Sequence, residues 1–591
     1  MRISILIFLC LFPTAYLLAQ KSGAIVSGRI LDENETPLAK VSVVLLGRES
    51  GVMSSDSGTF RIHVPVDKAF ALVFSYAGYK TLQQNFILND KEEERVVLRM
   101  ERSVSNLQNV TVTDDRDRKE AGLLRINPKD AINIPTPVGG IESLIKVYVG
   151  SNNELTSQYS VRGGNYDENL IYINDYEVFR PYLVSNAQQE GLSFINPEMT
   201  RNVNFYNGGF QAKYGDKISS VLDIQYKNPT EFGGSAYISL LEQGIELEGA
   251  SKNHKFNYIV GARNRSFTNL LSSQETKGDY IPSSSDIQGL FTYQLNQNNS
   301  LELFTVYSQT SFSLIPMSAQ LSTAVFSPYF TANLGLDIFF AGQEKDKYKT
   351  GLVGLTWNQQ LNKRLKLKWM LSSFSDIESQ NYDITGDYLF GERDFDITSA
   401  DFGKIVNPLG VGSNQNFARD NLNIHLYNFT HKGYLNTENH FLQWGISAEL
   451  QTVKDQLHEW IYEDSVGYSL PYQPGLLNLN YVVNGNNALN IGRFTGFFQD
   501  NISFKKNRDF TMQSGVRLNY NTFTKQLLFS PRIGVSWKPA NSKQDIIYKA
   551  AIGIYDQPPF YRELRAPDGS INPAVKAQQS FQATAGFDIN F

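Results

Sequence analysis

The stretch SQYSVRGGNYDENLIYINDYEV, residues 157–178, decides the fold. It places two short apolar runs, Tyr159 to Val161 and Leu170 to Ile173, on either side of Gly163-Gly164. Paired glycines adopt the positive φ angles that other residues avoid, so the pattern predicts a strand, a tight corner and a second strand. Arg162 stands just before the corner, and a guanidinium buried there would hold nearby carbonyl or carboxylate groups. Taken alone, this pattern indicates only a turn.

Further turn and strand signals follow in order. Asn174-Asp175 predicts a second turn, residues 195–198 predict a third, and VNFYNGGFQAKYGDKISSVLDIQYKNP covers residues 203–229. The ordered set VRGG, YINDYEV, VNFYNGGFQAKYG and SSVLDIQYK resembles the plug domain of TonB-dependent outer-membrane receptors, and four motifs over about 70 residues are specific where one is not. The resemblance implies plug-motif roles for Val161, Arg162, Gly163, Gly164, Asn174, Asp175, Gly208, Gly209, Tyr214 and Gly215.

The amino terminus has the composition of a secretory signal peptide. Arg2 precedes an apolar run from Ile3 to Leu18, which closes at Ala19-Gln20. The run is short and ends in a small residue, which favours a cleaved leader over a membrane span. Residues 1–19 are therefore predicted to be a signal peptide.

Composition favours a β-rich protein outside the cytoplasm. Aromatic residues make up 13% of the 591 residues, with 31 Tyr and 38 Phe, which is typical of strands with interfacial aromatic girdles. The net charge of −5 argues against a nucleic-acid partner. The one cysteine, Cys10, lies in the predicted leader, so the mature chain is expected to have no disulfide and no cysteine metal site.

Residues 22–100 read as a small β-sandwich, because short apolar or alternating runs are separated by turn residues. The order GRILDENETPLAKVSVVLLG, SSDSGTFRI and FSYAGYKT resembles the carboxypeptidase-regulatory-like domain, a transthyretin-like sandwich found ahead of the plug in receptors of Bacteroidetes type. None of the six histidines has a Glu at the spacing of a zinc-ligand pair. No nucleophile constellation or phosphate loop is present either, so we expect no enzyme activity, no cofactor and no metal site.

Residues 101–122 have the character of an interdomain segment, with a charge block from Asp114 to Glu120 that cannot bury itself. In TonB-dependent receptors a segment in this place, the TonB box, pairs as an added strand with the periplasmic coupling protein. The resemblance assigns this role to Val110, Thr111, Val112 and Thr113, whose apolar and polar residues alternate. The alternative is an ordinary linker.

The plug is predicted at residues 123–228 and a partial outer-membrane β-barrel at residues 233–591. Segments of 10 or more residues alternate between apolar and polar side chains after Gly233. Very short polar turns join some of them, and long polar stretches at residues 315–346, 383–416 and 456–490 join others. Short turns at one end and long loops at the other are typical of outer-membrane barrels. The predicted fold class is mainly β, with a transthyretin-like β-sandwich, an α+β plug and an antiparallel transmembrane β-barrel.

The number of strands is smaller than this family needs. The alternating segments amount to about 14 strands, whereas plugged transporters have about 22. A run near the end, QPPFYRELRAPDGSINPAVKAQQSFQATAGFDINF, resembles a segment that lies inside the barrel in relatives, with further strands after it. Against truncation, alternate residues from Phe581 to Phe591 are apolar up to a terminal Phe, as at the end of a complete barrel. Alternation is common to all the strands, so we expect a carboxy-terminal truncation.

The resemblance implies a TonB-dependent receptor in the cell outer membrane, which takes up a scarce ligand when a TonB-type protein displaces the plug. The ligand class stays open between siderophore, glycan, peptide and cofactor, and a non-transporting surface receptor or adhesin is the alternative function. Aromatic and acidic residues predicted to lie in the loops would suit carbohydrate stacking, a chelated metal or solvated loop tips. They are Tyr382, Tyr388, Asp394, Asp396, Trp460, Tyr462, Tyr468 and Tyr472.

Overall fold

The computed structural model describes residues 23–590 apart from fifteen gaps. These gaps are 33–34, 47–50, 67–69, 77–78, 101–118, 134–139, 150–157, 180–193, 267–277, 327–330, 466–467, 470, 477, 506–508 and 540–544. The predicted signal peptide and the predicted TonB box lie outside the described residues. The chain divides into two compact units, with the boundary between Arg116 and Asp117.

The first unit is a β-sandwich, as the sequence predicted. Its strands are β1 (Ala24–Leu31), β2 (Ser42–Leu45), β3 (Gly51–Met53), β4 (Thr59–Val64), β5 (Phe70–Ser75), β6 (Leu82–Phe86) and β7 (Glu93–Arg99). One sheet has the order β4-β1-β7 and the other β3-β2-β5-β6. Alternate side chains from both sheets are buried against each other, with Val26, Phe60 and Phe74 in the shared core. Every second residue of β4, beginning with Phe60, is buried. These buried residues are the apolar ones of its alternating sequence.

The plug opens the second unit as a mixed α/β layer. Its elements are β8 (Leu123–Ile126), α1 (Pro128–Asn133), α2 (Ile141–Val149), β9 (Asn169–Ile173), β10 (Tyr176–Glu177), β11 (Thr200–Tyr206) and β12 (Ser220–Tyr226). The strand order is β10-β9-β12-β11-β8, and β9 runs parallel to β12. Ile141, Leu144 and Ile145 of α2 are buried in the core of the plug, and Glu142, Ser143 and Lys146 are buried as well.

The glycine corner differs from the prediction in two respects. Residues 158–160 are not in a strand, although Tyr159 and Val161 are buried. Arg162 is exposed and has a φ of 52°, followed by Gly163 at 83°, so two successive left-handed residues form the corner. This corner points the arginine outward, where Nη2 donates to Asn207 Oδ1 over 3.4 Å instead of serving a buried site.

The rest of the second unit is one large antiparallel sheet. Its strands are β13 (Gly233–Ile238), β14 (Glu242–Ala250), β15 (Phe256–Ser266), β16 (Gly278–Asn296), β17 (Asn299–Pro316), β18 (Ala319–Phe326), β19 (Thr331–Gln360), β20 (Leu365–Arg393), β21 (Ile405–Asn436), β22 (His440–Ser465), β23 (Tyr468–Ser469), β24 (Tyr481–Lys505), β25 (Asp509–Asn521), β26 (Leu527–Lys538), β27 (Asp545–Gln557) and β28 (Gln578–Asn590). The strands pair in chain order, with β17 next to β19 and β22 next to β24. β18 lies off this path and pairs only with β19, and β23 pairs only with β22.

The two faces of the sheet differ in chemistry. On β19, Val353, Leu355 and Trp357 are exposed on one face, whereas Leu352 and Thr356, which alternate with them, are buried on the other. The buried face packs on the plug, and apolar residues of both form one continuous core. Strands whose alternate residues form an apolar outer face are typical of a sheet that contacts lipid.

The long loops predicted from the sequence are mostly strand. β20 continues to Arg393, β21 begins at Ile405, β22 reaches Ser465 and β24 starts at Tyr481. A strand in water needs neither face to be apolar, because its backbone groups are paired by the ladder whatever the side chains. Where the side chains become polar, the apolar–polar alternation stops, but the strands continue. Tyr382, Tyr388, Trp460 and Tyr462 lie in these extensions and not in loops.

The pairing path of the sheet runs from β13 to β28 through fourteen strands, in agreement with the predicted count. Within the described residues no ladder pairs β13 with β28, as also expected. None of the helices in the described part of the chain has the length and apolarity needed to span a membrane.

Candidate functional site

The plug hairpin between β9 and β10 carries the first cluster that joins plug to sheet. Asn174 and Asp175 have φ angles of 50° and 71°, the two positive values of a type I′ turn. The Asn174 side chain holds the turn by accepting the Tyr226 backbone N–H over 2.9 Å. This geometry places the Asp175 carboxylate at the tip of the hairpin, facing the sheet.

Two lysines from neighbouring strands receive that carboxylate. Lys432 of β21 donates to Asp175 Oδ1 over 2.9 Å, and Lys368 of β20 donates to Oδ2. Burial alone would raise the pKa of Asp175, but the two ammonium groups outweigh it and hold the pKa well below 3.8. The hairpin tip is therefore a carboxylate anchored by two cations.

A second cluster surrounds the plug loop that follows β11. Asp216 has a φ of 70° and its carboxylate accepts from Arg517 Nη2 over 2.8 Å and from Asn519 Nδ2 over 2.6 Å. Arg493 Nη1 lies 3.8 Å from the same carboxylate. Burial again opposes ionisation, and the two guanidiniums nevertheless lower the pKa of Asp216. Asp216 thus faces the wall.

Gly215 makes this second cluster possible. A Cβ atom at Gly215 would lie 1.7 Å from Arg517 Nε, so no larger residue fits without moving the guanidinium. The glycine of the predicted plug motif therefore provides the passage through which Arg517 reaches Asp216. Arg493, between the clusters, also meets Glu449 of β22 over 3.0 Å and plug Glu177 over 3.6 Å.

A cavity of about 100 Å³ separates the two clusters. Charged groups of the plug and of the sheet line it together: Asp175, Glu177, Asp216, Lys432, Arg493 and Arg517. Burial and the neighbouring carboxylates raise the pKa of Glu177, although Arg493 opposes this shift. The polar half of the interface is thus built from ion pairs around a small internal space.

Apolar contacts form the other half. Tyr176 stacks on Phe304 with ring centroids 5.7 Å apart, and its hydroxyl lies 2.6 Å from Thr356 Oγ1. A Cβ atom at Gly354 would meet the Tyr176 ring at 2.4 Å, so this wall glycine makes room for the plug tyrosine. The plug is therefore seated by shape as well as by charge.

The Gly208-Gly209 turn of the plug contacts the last strands of the sheet. Both glycines have positive φ, 113° and 66°, and the Gly209 N–H donates to Gln582 Oε1 over 3.3 Å. Arg532 of β26 donates to the carbonyls of Gln211 and Tyr214 over 2.7 and 2.6 Å. Its guanidinium lies 4.2 Å from the centre of the Tyr555 ring, so a cation–π contact fixes its direction.

Residues 558–577, which connect β27 to β28, turn inward over the plug; we call this segment the strap. Tyr561 and Leu564, in a 3₁₀ turn, are buried. Phe560 contacts plug Phe179, with ring centroids 5.8 Å apart. Asn487 of β24 donates to the Gly569 carbonyl over 2.9 Å. The strap thus spans from the last strands to the opposite wall.

Carboxylates on that wall hold the strap. Arg562 Nη2 meets Glu378 Oε2 of β20 over 2.8 Å, and Arg565 Nη1 meets Asp455 Oδ2 of β22 over 3.5 Å. The Tyr561 hydroxyl also donates to Asp455. Glu378 lies four positions after Phe374, the β20 residue whose ring contacts plug Phe179 at 5.6 Å. The strap therefore lies directly beyond the plug along β20.

The predicted plug-motif residues fall into three groups. Asn174, Asp175, Gly208, Gly209 and Gly215 meet or shape the wall, whereas Val161 and Tyr214 are buried in the plug, Tyr214 donating to Asp223 over 2.6 Å. Gly163 and Arg162 form the exposed corner, and Gly164 packs on Ser219 and Glu168. The assigned roles of all these residues remain predictions.

Sequence reasoning missed the wall residues that receive the plug. Lys368, Lys432, Arg493, Arg517 and Arg532 lie on the inward face of alternating strands. The partners of Lys368 and Arg517 could not be predicted, because the plug acids that they contact lie 193 and 301 residues earlier.

Two domain families match the chain. The CarboxypepD_reg-like domain matches residues 26–112, and the TonB-dependent Receptor Plug Domain matches residues 105–221. No curated protein matches the chain. The second match covers the hairpin, the Asp216 loop and both wall-facing clusters of the plug.

Solved structures share the fold. A mutant of the ferric enterobactin receptor PfeA from Pseudomonas aeruginosa is 13% identical, with 82% of this chain and 71% of that chain covered and a TM-score of 0.52. A second mutant of the same receptor is 14% identical with the same coverage and a TM-score of 0.50. The outer membrane transporter YddB from Escherichia coli is 13% identical, covering 74% of this chain and 61% of that chain, with a TM-score of 0.46.

At such identities the two receptor structures with TM-scores of 0.50 and 0.52 show the fold alone, and the domain assignment rests on the family matches. A sandwich of the regulatory-like type precedes a plug whose motifs seat it against a large antiparallel sheet. The chain therefore carries a CarboxypepD_reg-like domain followed by the plug domain of TonB-dependent receptors.

Proposed function

We propose that this chain is an energy-coupled outer-membrane receptor that takes up a scarce ligand when its plug is displaced. The observation that carries the proposal is the seating of the plug hairpin, where Asp175 meets Lys368 and Lys432 of two adjacent strands. A TonB-type protein in the periplasm is the proposed partner, and Val110 to Thr113 form the strand to which it pairs. The signal peptide at residues 1–19 directs export of the chain from the cytoplasm, and the mature chain resides in the outer membrane.

The chemistry of the interface supports a plug that can be moved. Buried ion pairs contribute little net stability, because the attraction between charges roughly offsets the cost of removing them from water. When the hairpin leaves the wall, both Asp175 and its lysines regain water, so the displaced state is not heavily penalised. The existing cavity between the clusters gives water a place to enter.

The apolar half of the interface determines the free energy that the coupling protein must supply to displace the plug. Tyr176 and its neighbours bury apolar surface against Phe304 and Leu352, and exposing such surface costs about 25 cal/mol per Å². An external pull on an extended segment supplies work that thermal motion does not. Energy coupling thus matches an interface that is polar at the hairpin tip and apolar beside it.

A non-transporting surface receptor or adhesin is the second candidate. It would use the extended strands β19 to β22 for binding and would leave the plug seated. The two functions differ in whether cargo crosses the membrane and not in whether it binds.

Substitution of Val112 by Pro tests the transport proposal. Proline removes one backbone donor and fixes φ, so it disrupts an added strand and leaves the folded domains intact. We expect uptake by cells that carry the variant to stop while cell-surface binding of the cargo persists. The matched control is Val104→Pro, in the same interdomain segment but outside the box. Uptake that survives Val112→Pro would refute the assignment of the box or the transport function.

Localisation has its own test. Amino-terminal sequencing of the purified protein is expected to begin at or near Gln20, and density-gradient fractionation to place the protein with outer membranes. An intact Met1 or recovery from the cytosol would contradict the proposal.

A further inference from the structure

Three neighbouring strands carry a groove on the plug-facing side of the sheet, beyond the strap. Its volume is about 700 Å³, within the range of small-molecule sites. Phe340 of β19, Tyr382, Tyr388 and Phe390 of β20, and Asn416 of β21 line it. Neither the plug nor the strap contacts described above include these residues.

Register shows that the groove faces the lumen. On β20, Lys368 and Phe374 contact the plug and Glu378 contacts the strap, and these even-numbered residues share one face. Tyr382 and Tyr388 continue that face, since the pairing of β19 with β20 has no irregularity between them. At ~3.3 Å per residue, Tyr382 lies about 26 Å beyond the plug contact at Phe374. A ligand that entered from outside would meet the groove, then the strap, then the plug.

Glycines on the paired strands shape the floor of the groove. Phe340 pairs with Gly386, and a Cβ atom there would lie 2.9 Å from the Phe340 ring. Tyr388 pairs with Gly412, where a Cβ atom would lie 2.4 Å from the tyrosine ring. Without side chains at these glycines, both rings lie down over the neighbouring backbone. The groove therefore offers rigid, flat aromatic surfaces.

The glycine opposite Phe390 leaves the groove open. Gly410 pairs with Phe390, and a Cβ atom at Gly410 would meet no atom within 4 Å. The Phe340 and Phe390 side chains remain 37% and 36% exposed, so their faces are available to a ligand. The space is a consequence of sequence, since a side chain at position 410 would fill it.

The chemistry of the lining restricts the ligand. Among the described residues that line the groove none carries a charge, so an anionic chelate would find no cation to bind there. The polar groups are tyrosine hydroxyls and the amides of Asn414 and Asn416. Asn416 Oδ1 is buried and accepts no hydrogen bond from the part of the chain that the structure describes, whereas Asn414 Nδ2 donates to Glu463 Oε1 over 3.3 Å.

We propose that this groove binds a neutral oligosaccharide, whose sugar rings stack on the aromatic faces and whose hydroxyls bond the two asparagine amides. A pyranose ring combines a flat C–H face with hydroxyl donors at its edge, which matches flat rings bordered by amides. A neutral oligosaccharide is then the class of cargo that the proposed function would take up. Uptake of the bound sugar rests on the proposed function, whereas its binding in the groove does not.

The test is direct binding, which needs no coupling protein. The purified full chain, in an amine-oxide detergent that carries no sugar, is applied to an array of neutral gluco-, manno-, xylo- and galacto-oligosaccharides. At least one of these series is expected to bind. Gly410→Leu, which fills the open space, and Phe390→Ala, which removes a ring, are each expected to weaken that binding about tenfold.

Gly351→Leu is the matched control, because a Cβ atom at Gly351 also meets nothing within 4 Å but the residue lies outside the groove. It is expected to bind sugar as the unaltered chain does. The proposal is overturned if no neutral series binds, if Gly410→Leu binds as well as Gly351→Leu, or if a ferric siderophore or sulfated sugar competes for the groove more strongly than every neutral series. Uptake that survives Val112→Pro, with sugar binding retained, would refute the proposed function and leave the groove assignment standing, so the two proposals fail separately.

Discussion

Lys432 Nζ donates to Asp175 Oδ1 over 2.9 Å and so joins β21 of the sheet to the tip of the plug hairpin. The two residues are 257 positions apart in sequence, and Lys368 of the next strand binds the other oxygen of the same carboxylate. One plug residue thus fixes the position of the hairpin relative to two strands. The consequences of breaking this contact are specific to the hairpin.

Asp175→Asn removes the charge and keeps the shape. We expect amide hydrogen exchange in β9 and β10 to accelerate about tenfold at neutral pH, because each lysine loses a charged acceptor. A larger effect is not expected, since the carboxylate is 36% exposed to the internal space and water partly replaces it. Asp130→Asn, at a plug aspartate that bonds Asn127, is the control and should leave exchange in the hairpin unchanged. Equal exchange in both variants would show that the lysine contacts do not hold the hairpin.

The same carboxylate makes the hairpin sensitive to acid. Its pKa in the folded protein is well below 3.8, so it stabilises the seated plug above its unfolded-state pKa, near 3.8. That stabilisation is lost as the pH falls through the lowered folded-state value. The difference in hairpin exchange between Asp175→Asn and the unaltered chain should therefore be full at pH 7 and shrink below about pH 4. A difference that persists unchanged into strong acid would exclude ionisation of Asp175 as its cause.

Gly215→Ala tests the passage used by Arg517. The added methyl group would lie 1.7 Å from Arg517 Nε, so the guanidinium must leave its position and its bond to Asp216. Overpacking of this kind costs about 1–3 kcal/mol, and hydrogen exchange in the loop at residues 210–217 should rise accordingly. Gly586→Ala, where a Cβ atom meets nothing within 4 Å, is the matched control and should be silent. Unchanged hydrogen exchange in the Gly215→Ala variant would mean that Arg517 reaches Asp216 by another route.

How much of this site could be predicted depended on the range of the interactions. Asn174-Asp175 and Gly208-Gly209 were identified because a turn is local, and the residues that allow positive φ stand beside one another. The sequence left open whether the Arg162 guanidinium is buried; the side chain is exposed, at a residue with a φ of 52°. Arg517 was missed because nothing near it in sequence indicates a partner 301 residues away. The ends of the strands were predicted wrongly beyond the lipid-facing region, because the apolar–polar alternation stops there although the strands continue to pair.

The strap provides the last prediction. Arg562→Glu places a carboxylate against Glu378, whose side chain is 1% exposed, so like charges oppose each other and the strap should detach from β20. The reporter is Val483→Cys on β24: Val483 is 2% exposed and lies beneath Gly569, and the only native cysteine, Cys10, is in the predicted leader. We expect a membrane-impermeant maleimide to label Cys at position 483 slowly in the otherwise unaltered chain and at least tenfold faster with Arg562→Glu.

Reversal of the pair separates release of the strap from general damage. Glu378→Arg combined with Arg562→Glu restores an opposite-charge pair in swapped order, and labelling at position 483 should slow again toward the original rate. Asp396→Cys, on the connection between β20 and β21, is the labelling control and should react rapidly in every background. Fast labelling in the reversed pair, with the control unchanged, would show that the single variant exposes position 483 through general damage and not through the lost ion pair. Slow labelling in Arg562→Glu alone would show that the strap is held by its buried Tyr561 and Leu564 and not by the charge of Arg562.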